Sequence, residues 1–242
     1  MRNLIIGTAA LVAVASGAHA SNLVSNGGFE TNGGAGQLGF NTSATDWSVP
    51  APSGSYGFLF ASGGADTTGS NGEYGNVGLW GPGNAVANGL PASSPDGGYY
   101  FGADSDFQQG ALSQTINGLT PGASYNLSFW WAAGQQTGFF GATQSQWQVS
   151  LGSQTQSTAF DNIPSQGFSG WQQQKFTFTA TNASETLSFL ASGGPPVPPF
   201  ALLDGVSLTA SVPEPATWAV LILGMAGLGL VARRRRRQAA AG

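Results

Sequence analysis

Short runs in which apolar and polar residues alternate recur between residues 21 and 211, separated by clusters of Gly, Asn, Asp and Pro. Alternation with a period of two places every second side chain on one face of a β-strand, and the intervening clusters are typical of turns. No apolar stripe in this part of the chain repeats at helical spacing over three turns. The pattern predicts strands at residues 23–24, 29–30, 56–60, 77–80, 99–102, 111–116, 125–132, 147–151, 175–180, 186–191 and 201–208.

The parity of the bulky residues assigns a core face to several of these strands. The residues predicted to face the core are Tyr125, Leu127, Phe129 and Trp131, then Trp147, Val149 and Leu151, and then Phe176, Phe178 and Ala180. Residues 61–76 and 132–144 are too long for hairpin turns and are predicted to be surface loops. We therefore predict an all-β fold, a single antiparallel jelly-roll β-sandwich over residues 21–211.

The N-terminal segment has the order of a secretory signal peptide. Residues 1–3 carry a positive charge, residues 4–15 are apolar, and Ala18 and Ala20 form the small-x-small pattern that signal peptidase recognises. The alternative is a buried N-terminal helix. We expect residues 1–20 to be removed, so that the mature chain begins near Ser21.

The C-terminal segment predicts one transmembrane helix. Residues 216–232 are uncharged and would extend roughly 26 Å as a helix, just short of a hydrocarbon core of about 30 Å. A run of five arginines follows: Arg233, Arg234, Arg235, Arg236 and Arg237. Positive charge stays in the cytoplasm, so this stop-transfer run predicts a cytoplasmic tail at 233–242 and an exported domain before the helix. A basic nucleic-acid patch is the alternative.

Charge and composition exclude several classes of function. Between residues 21 and 212 the only basic residue is Lys175, against ten Asp and Glu, a net charge of −9. Such a domain lacks the basic surface that contacts the phosphates of DNA or RNA, so no nucleic-acid partner is expected. The chain has no Cys, and its one His, His19, lies in the predicted signal peptide. His- and Cys-dependent catalysis and His-ligated metals are therefore excluded from the mature domain, which we predict is not an enzyme.

Val212, Pro213, Glu214 and Pro215, followed by the apolar segment and the arginine run, resemble the PEP-CTERM sorting signal. The resemblance assigns residues 212–242 to sorting. It implies a precursor anchored in the inner membrane, cleavage by an exosortase near this motif, and release to the cell surface or to the extracellular matrix of a biofilm. The alternative is that the two prolines only stiffen a juxtamembrane linker.

The domain itself resembles a galactose-binding-like carbohydrate-binding module. The resemblance is carried by residues 22–30, by Trp47, by residues 112–130 and by the closing segments 171–179 and 202–208. It implies a partner among extracellular polysaccharides, including exopolysaccharide. Related folds share these strands without binding sugar.

Asp204 shares its parity with Leu202, Val206 and Leu208, which predicts a carboxylate on an apolar face. An unpaired buried charge costs several kcal/mol, so the group needs a partner, and a cation is one candidate. The family resemblance implies a structural Ca²⁺ held by Glu30 and Asp204, although Gly205 stands where the family has a second aspartate. The alternative is that Asp204 accepts backbone N–H bonds.

Four aromatic residues are candidates for carbohydrate binding: Trp130, Trp80, Tyr99 and Tyr100. Sugar rings stack on aromatic faces, while most aromatic residues of a β-sandwich belong to its core. Asp104 and Asp106 fit either a solvated turn or a loop cation site. We predict an exported, non-catalytic protein that binds or organises extracellular polysaccharide. A purely structural or adhesive matrix protein and a glycan-cleaving enzyme are the alternatives.

Overall fold

The protein is described here by a computed structural model that covers residues 21–50 and 54–211. Thirteen strands make up its regular structure, together with a short 3₁₀ turn at Pro82–Asn84. The strands are β1 (Gly36–Gln37), β2 (Gly57–Phe60), β3 (Ser70–Gly72), β4 (Gly75–Val77), β5 (Tyr100–Asp104), β6 (Leu112–Asn117), β7 (Ser124–Gln135), β8 (Thr143–Leu151), β9 (Gln154–Ser157), β10 (Asp161–Ile163), β11 (Gln172–Thr179), β12 (Ser184–Gly194) and β13 (Pro199–Ala210).

The strands form two large antiparallel sheets and one small hairpin. The six-stranded sheet has the order β1-β2-β5-β13-β7-β11. The five-stranded sheet has the order β10-β8-β12-β6, with β9 paired to β8, while β3 and β4 pair with each other. The prediction of an all-β sandwich is confirmed.

A large apolar core fills the space between the two sheets. Phe129 on β7 packs edge-on against Phe189 on β12, with ring centroids 5.2 Å apart. The residues predicted to face the core on β7 and β8 are buried in it, as are Phe178 and Ala180, while Phe176 is half-buried against it. Burial of each bulky side chain contributes about 1.5–3 kcal/mol, so this layer is the main source of stability.

A second apolar cluster covers the opposite face of the six-stranded sheet. Phe58, Phe60 and Phe200 project from the sheet into this cluster, and the connection between β2 and β5 contributes Leu79 and Leu90. Every residue of β2 and of β5 is buried as a result. This sheet therefore has no solvated face at β2 and β5, which explains why their sequences are not alternating.

The predicted boundaries need several corrections. Residues 23–24 and 29–30 lie outside the strands, and Phe29 has a positive φ of 59°. Of residues 77–80, only the first belongs to a strand, β4. The β3–β4 hairpin begins inside the predicted loop 61–76 and ends one residue beyond it. β7 continues to Gln135, so the loop predicted from 132 begins at 136. Pairing of Gln135 with Pro199 extends β7 through residues of low strand propensity.

A β-bulge breaks the parity that was predicted for β13. Its register to β7 shifts between Asp204 and Ser207, and Gly205 at the shift has a φ of 57°. Leu202 belongs to the outer cluster, whereas Val206 and Leu208 lie in the core between the sheets. The prediction that these residues share one face is therefore wrong, because the extra residue at the bulge reverses the alternation.

The predicted signal peptide at 1–20, the transmembrane segment at 216–232 and the arginine run lie outside the described residues. Within 21–50 and 54–211, no helix has the length and apolar character needed to cross a bilayer.

Candidate functional site

A cleft of about 330 Å³ opens at the end of the six-stranded sheet, where β5 and β7 finish and β13 begins. Most of its lining is apolar, and two carboxylates and one amide interrupt it. The residues that line it are Tyr56, Tyr74, Asp104, Asp106, Phe107, Gln136, Phe139, Pro196 and Pro198.

Three aromatic rings form one wall of the cleft. Tyr56 lies 5.3 Å from Phe107 and 6.0 Å from Tyr74, measured between ring centroids, and Tyr74 lies 5.8 Å from Phe107. Tyr56 is buried, whereas Tyr74 is 60% exposed and Phe107 is 46% exposed. The contacts hold the two outer rings in place although water reaches them, which makes them a preformed surface for a flat apolar ligand face.

Asp104 closes the floor of the cleft at the last residue of β5. Its Oδ1 accepts hydrogen bonds from the backbone N–H groups of Asp106 (2.9 Å) and Phe107 (3.1 Å). Its Oδ2 is buried and has no hydrogen-bond partner within the described residues. Burial raises the pKa of the Asp104 carboxyl to about 6 against the lowering effect of the two backbone bonds, and the charge of Asp106 raises it further.

Two glutamines add further acceptor atoms near these rings. The Oε1 atoms of Gln136 and Gln108 are buried and unpartnered among residues 21–50 and 54–211. Gln108 donates from its Nε2 to the Tyr74 hydroxyl at 3.1 Å, which leaves the Tyr74 proton free to be donated elsewhere. Buried acceptors without partners are unfavourable, so a ligand that donates hydrogen bonds would relieve this cost.

An exposed aromatic ridge continues the cleft on one side. Phe139 lines the cleft, and its neighbour Phe140 packs on Trp80 with ring centroids 5.5 Å apart. Trp80 donates from Nε1 to the Phe139 carbonyl at 3.0 Å, which fixes the ridge. Of the six exposed large apolar side chains in the described part of the chain, four (Tyr74, Phe107, Phe139 and Phe140) lie in the cleft or on this ridge.

The four predicted sugar-binding aromatic residues have different positions. Trp80 lies beside the cleft, on the ridge. Trp130 and Tyr99 are half-buried and do not line the cleft, and Trp130 lies opposite Asp204 in the pairing of β7 with β13. Tyr100 does not fit the sugar-binding role predicted for it, because the outer cluster covers its face of β5 and leaves the side chain 1% exposed.

The site residues predicted from the sequence do not include Tyr74, Phe107 or Phe139. One signal for them was present: all three follow or lie within glycine-, asparagine- or aspartate-rich segments rather than alternating strands. Such segments expose their side chains more often than strand interiors do. The convergence of three separate loops on one cleft is set by the strand order, which the sequence pattern does not reveal.

A second polar group surrounds Asp204, at the bulge of β13. The Asp204 side chain is completely buried, and its Oδ2 accepts a hydrogen bond from the Ser94 hydroxyl. Its Oδ1 lacks a hydrogen-bond partner in the part of the chain that the structure describes. Burial raises the pKa of the Asp204 carboxyl to about 8 against the lowering effects of the Ser94 hydroxyl and the nearby Gly205 N–H, and the charges of Asp96 and Glu30 raise it further.

Glu30 and Asp96 lie on the exposed side of this group. The Oε1 of Glu30 accepts a hydrogen bond from the Tyr99 backbone at 2.7 Å. A Cβ atom on Gly28 would lie 2.7 Å from Oδ2 of Asp96 and 3.8 Å from Oδ1 of Asp204, so this glycine keeps the space between the two carboxylates open. Hard oxygen donors of this kind fit Ca²⁺. Among the described residues, no three His, Cys, Asp or Glu side chains already have the spacing of a metal site.

The C-terminal segment and the domain that precedes it are similar to different known proteins. Residues 211–237 match the family model of the PEP-CTERM protein-sorting motif. The chain carries a PEP-CTERM sorting motif. The motif begins directly after β13, and the backbone N–H of Ser211 still donates to Ser124 on β7 at 2.8 Å. A PEP-CTERM motif indicates export of a membrane-anchored precursor that an exosortase processes.

The domain that precedes the PEP-CTERM motif has solved structural neighbours, and these include carbohydrate-binding modules with β-sandwich folds. TmCBM61, solved with β-1,4-galactotriose, is 16% identical, with 79% of this chain and 99% of that chain covered and a TM-score of 0.40. The xylan-binding CBM22-1 domain of Xyn10C from Paenibacillus barcinonensis is 10% identical, with coverage of 81% and 97% and a TM-score of 0.38.

The K1 cleaved adhesin domain of Lys-gingipain from Porphyromonas gingivalis W83 is 12% identical, with coverage of 69% and 92% and a TM-score of 0.41. No curated protein matches the chain.

Proposed function

We propose that this protein is an exported, non-catalytic β-sandwich that binds extracellular polysaccharide in the cleft at the end of β5. The observation that carries the proposal is the combination of exposed, fixed aromatic rings with buried acceptor atoms that lack partners, Asp104 Oδ2 and Gln136 Oε1. Sugar rings present C–H faces that stack on aromatic rings and hydroxyl groups that donate to such acceptors.

The sorting motif supports the place of action. Signal peptidase would remove residues 1–20, and an exosortase would act at the PEP-CTERM motif while the inner membrane holds the precursor. The domain would then remain at the cell surface or in the extracellular matrix. A polysaccharide-binding cleft gives such a domain a partner in that location.

The proposal is tested with the full-length protein, purified in a mild detergent and applied to an array of neutral, amino and acidic glycans. We expect binding to at least one polysaccharide, without release of new reducing ends. Tyr74→Ala and Phe107→Ala should each weaken this binding by roughly 1–3 kcal/mol, the range measured for truncation of stacking aromatic residues. Phe160→Ala is the matched control, because Phe160 is similarly exposed, at 42%, and does not line the cleft.

Three other outcomes have defined meanings. Absence of binding to every glycan by a folded protein would favour a structural or adhesive matrix role. Binding that all three variants retain would place the sugar site outside the cleft. New reducing ends would indicate a glycan-cleaving enzyme, for which the Asp104 and Asp106 carboxyls would be the first residues to replace.

We also propose that Asp204, with Asp96 and Glu30 on the exposed side, holds a structural Ca²⁺. The support is the buried, unpartnered Oδ1 of Asp204 and the space that Gly28 leaves beside it. A cation there would compensate a buried carboxylate that has no basic side chain nearby, since Lys175 is the only Lys or Arg between residues 21 and 212.

A further inference from the structure

The buried polar atoms of the cleft wall that lack partners are acceptors rather than donors. Asp104 Oδ2 and Gln136 Oε1 are buried without partners among the residues described. Asp106 adds a second carboxylate at the edge, where it is exposed to solvent. A ligand that satisfies these atoms must therefore present hydrogen-bond donors to them.

The charge around the cleft has one sign. Both ionisable side chains that carry negative charge there, Asp104 and Asp106, lie in its lining, and no Lys or Arg does. The domain's one basic residue, Lys175, is on β11 and faces a different surface depression with Asn126 and Thr209. A glycan rich in uronic acid or sulfate would therefore be repelled, whereas a neutral or cationic ligand would not.

The aromatic rings favour a cation over a neutral ligand. An ammonium group over the face of a Tyr or Phe ring is attracted by the negative charge density of that face, and a carboxylate beside the ring strengthens the attraction. Tyr56, Tyr74 and Phe107 have their centroids within 5.3–6.0 Å of one another, and the same turn that carries Phe107 carries Asp106. The ring wall and the carboxylate thus border one small space.

We propose that the cleft selects a cationic amino sugar, that is, a hexosamine unit of a polysaccharide with a free, protonated amino group. The sugar ring stacks on the exposed aromatic faces, and its ammonium group lies between the rings and the Asp106 carboxylate. This inference rests on the proposed function of the cleft as a polysaccharide site. It adds the chemical class of the ligand.

The test compares three β-1,4-linked hexasaccharides of the same length, built from glucosamine, N-acetylglucosamine or glucose. Isothermal titration calorimetry on the full-length protein in detergent, at a mildly acidic pH that keeps the glucosamine amines protonated, measures each Kd. We expect the glucosamine oligomer to bind about tenfold more tightly than the other two, because only it has an ammonium group for the cation–π and ion-pair contacts.

Two variants separate a specific site from general attraction between a cationic oligomer and an acidic domain. Asp106→Asn removes the exposed carboxylate of the cleft and keeps its shape, and it should reduce the preference for glucosamine. Asp46→Asn removes the same charge from an exposed position that does not line the cleft. Asn is tolerated there because Asp46 has a φ of 65°, a conformation that Asn adopts readily. This control should keep the preference.

The outcomes also distinguish this inference from the proposed function. Equal binding of all three oligomers, lost in Tyr74→Ala, would overturn the amino-sugar selectivity and leave the polysaccharide site in place. A glucosamine preference that Asp46→Asn reduces as much as Asp106→Asn would overturn the selectivity as a property of the cleft. Absence of binding to any oligomer would overturn the selectivity, and only silence across the wider glycan array would overturn the proposed function as well.

Discussion

The buried Asp104 carboxylate holds the turn that carries Phe107: its Oδ1 accepts the Phe107 backbone N–H at 3.1 Å. The same oxygen accepts the N–H of Asp106 at 2.9 Å, so one side chain at the end of β5 fixes both edge residues of the cleft. A rigid strand therefore positions an exposed loop through a single acceptor atom.

Replacement of Asp104 separates this positioning role from its charge. Asp104→Asn keeps an oxygen for the two backbone bonds, whereas Asp104→Ala removes it, at a cost of roughly 1–3 kcal/mol of stability. We expect native-state hydrogen exchange at the Phe107 amide to accelerate in Asp104→Ala and to stay near the wild-type rate in Asp104→Asn. Equal acceleration in both variants would show that the turn depends on the charge.

The raised pKa of Asp104 predicts a specific dependence of stability on pH. Its carboxyl has a pKa of about 6 in the folded protein against the ordinary value of 3.8, so between these values the folded state binds more protons than the unfolded state. Stability must then fall as the pH rises from about 4 to about 6, by on the order of 3 kcal/mol for this group.

Chemical denaturation of the wild type and of Asp104→Asn at about pH 4 and about pH 7 measures this contribution. The variant should lose less stability over the interval than the wild type, because its side chain does not ionise. The other carboxyls, including Asp204 with its own raised pKa, are common to both proteins and cancel in the difference. The same loss in both proteins would contradict the assignment.

Calcium should stabilise the fold through Asp204. Binding to the folded state alone adds about 2.7 kcal/mol at a free calcium concentration 100 times the Kd, which raises the melting temperature by several degrees, and EDTA should reverse the rise. The variant Asp204→Asn should change the melting temperature in EDTA in the opposite direction to the loss of a stabilising residue. It removes an unpaired buried carboxylate, so it should melt above the wild type in EDTA and show no response to calcium. A wild-type melting curve that neither calcium nor EDTA shifts would remove the proposal.

Tyr100 should contribute to stability and not to sugar binding. Its ring packs against Phe60 at 5.6 Å and against Trp171 at 5.4 Å between centroids, and its hydroxyl is buried without a partner in the described residues. Tyr100→Ala is expected to cost about 3–5 kcal/mol, while Tyr100→Phe changes stability by less than about 1 kcal/mol. Denaturant titration of both variants measures this, and loss of glycan affinity in a folded Tyr100→Phe protein would contradict it.

The sequence predicted those features that depend on local periodicity. Alternation placed Tyr125, Leu127 and Trp147 in the core correctly, because β7 and β8 each have one face toward the other sheet. Alternation gave no signal that Tyr100, a candidate for sugar binding, is buried: the connection between β2 and β5 folds back over the sheet and covers a second face. This burial results from a tertiary contact between segments that are distant in the chain. The alternation of apolar and polar residues within either segment cannot reveal such a contact.

The site residues also divide into those that local periodicity predicts and those that depend on contacts between distant segments. Asp204 was singled out by its neighbours' parity, and it is buried as the sequence suggested, although the bulge at Gly205 places Leu202 and Val206 on different faces. The cleft was missed because its parts come from the residue before β2, the β3–β4 turn, the end of β5, the loop after β7 and the segment before β13. Only the strand order brings these segments together.

Two glutamine side chains protect the free edge of the six-stranded sheet, and their removal should promote self-association. β11 is the last strand of that sheet. On its unpaired side, Gln154 of β9 bonds to both the N–H and the carbonyl of Thr179, and Gln156 donates to the Thr177 carbonyl at 2.7 Å. These bonds satisfy backbone groups that would otherwise form a template for pairing with another chain.

The double variant Gln154→Ala/Gln156→Ala should therefore lose roughly 1–3 kcal/mol of stability and associate in a concentration-dependent manner. Sedimentation velocity over a concentration series, in the same detergent for every sample, measures the association. Gln148→Ala is the matched control, since Gln148 is an exposed glutamine of the neighbouring strand β8. If the double variant sediments as the control does at every concentration, the side chains do not protect the edge, and the twist or shortness of β11 must limit pairing instead.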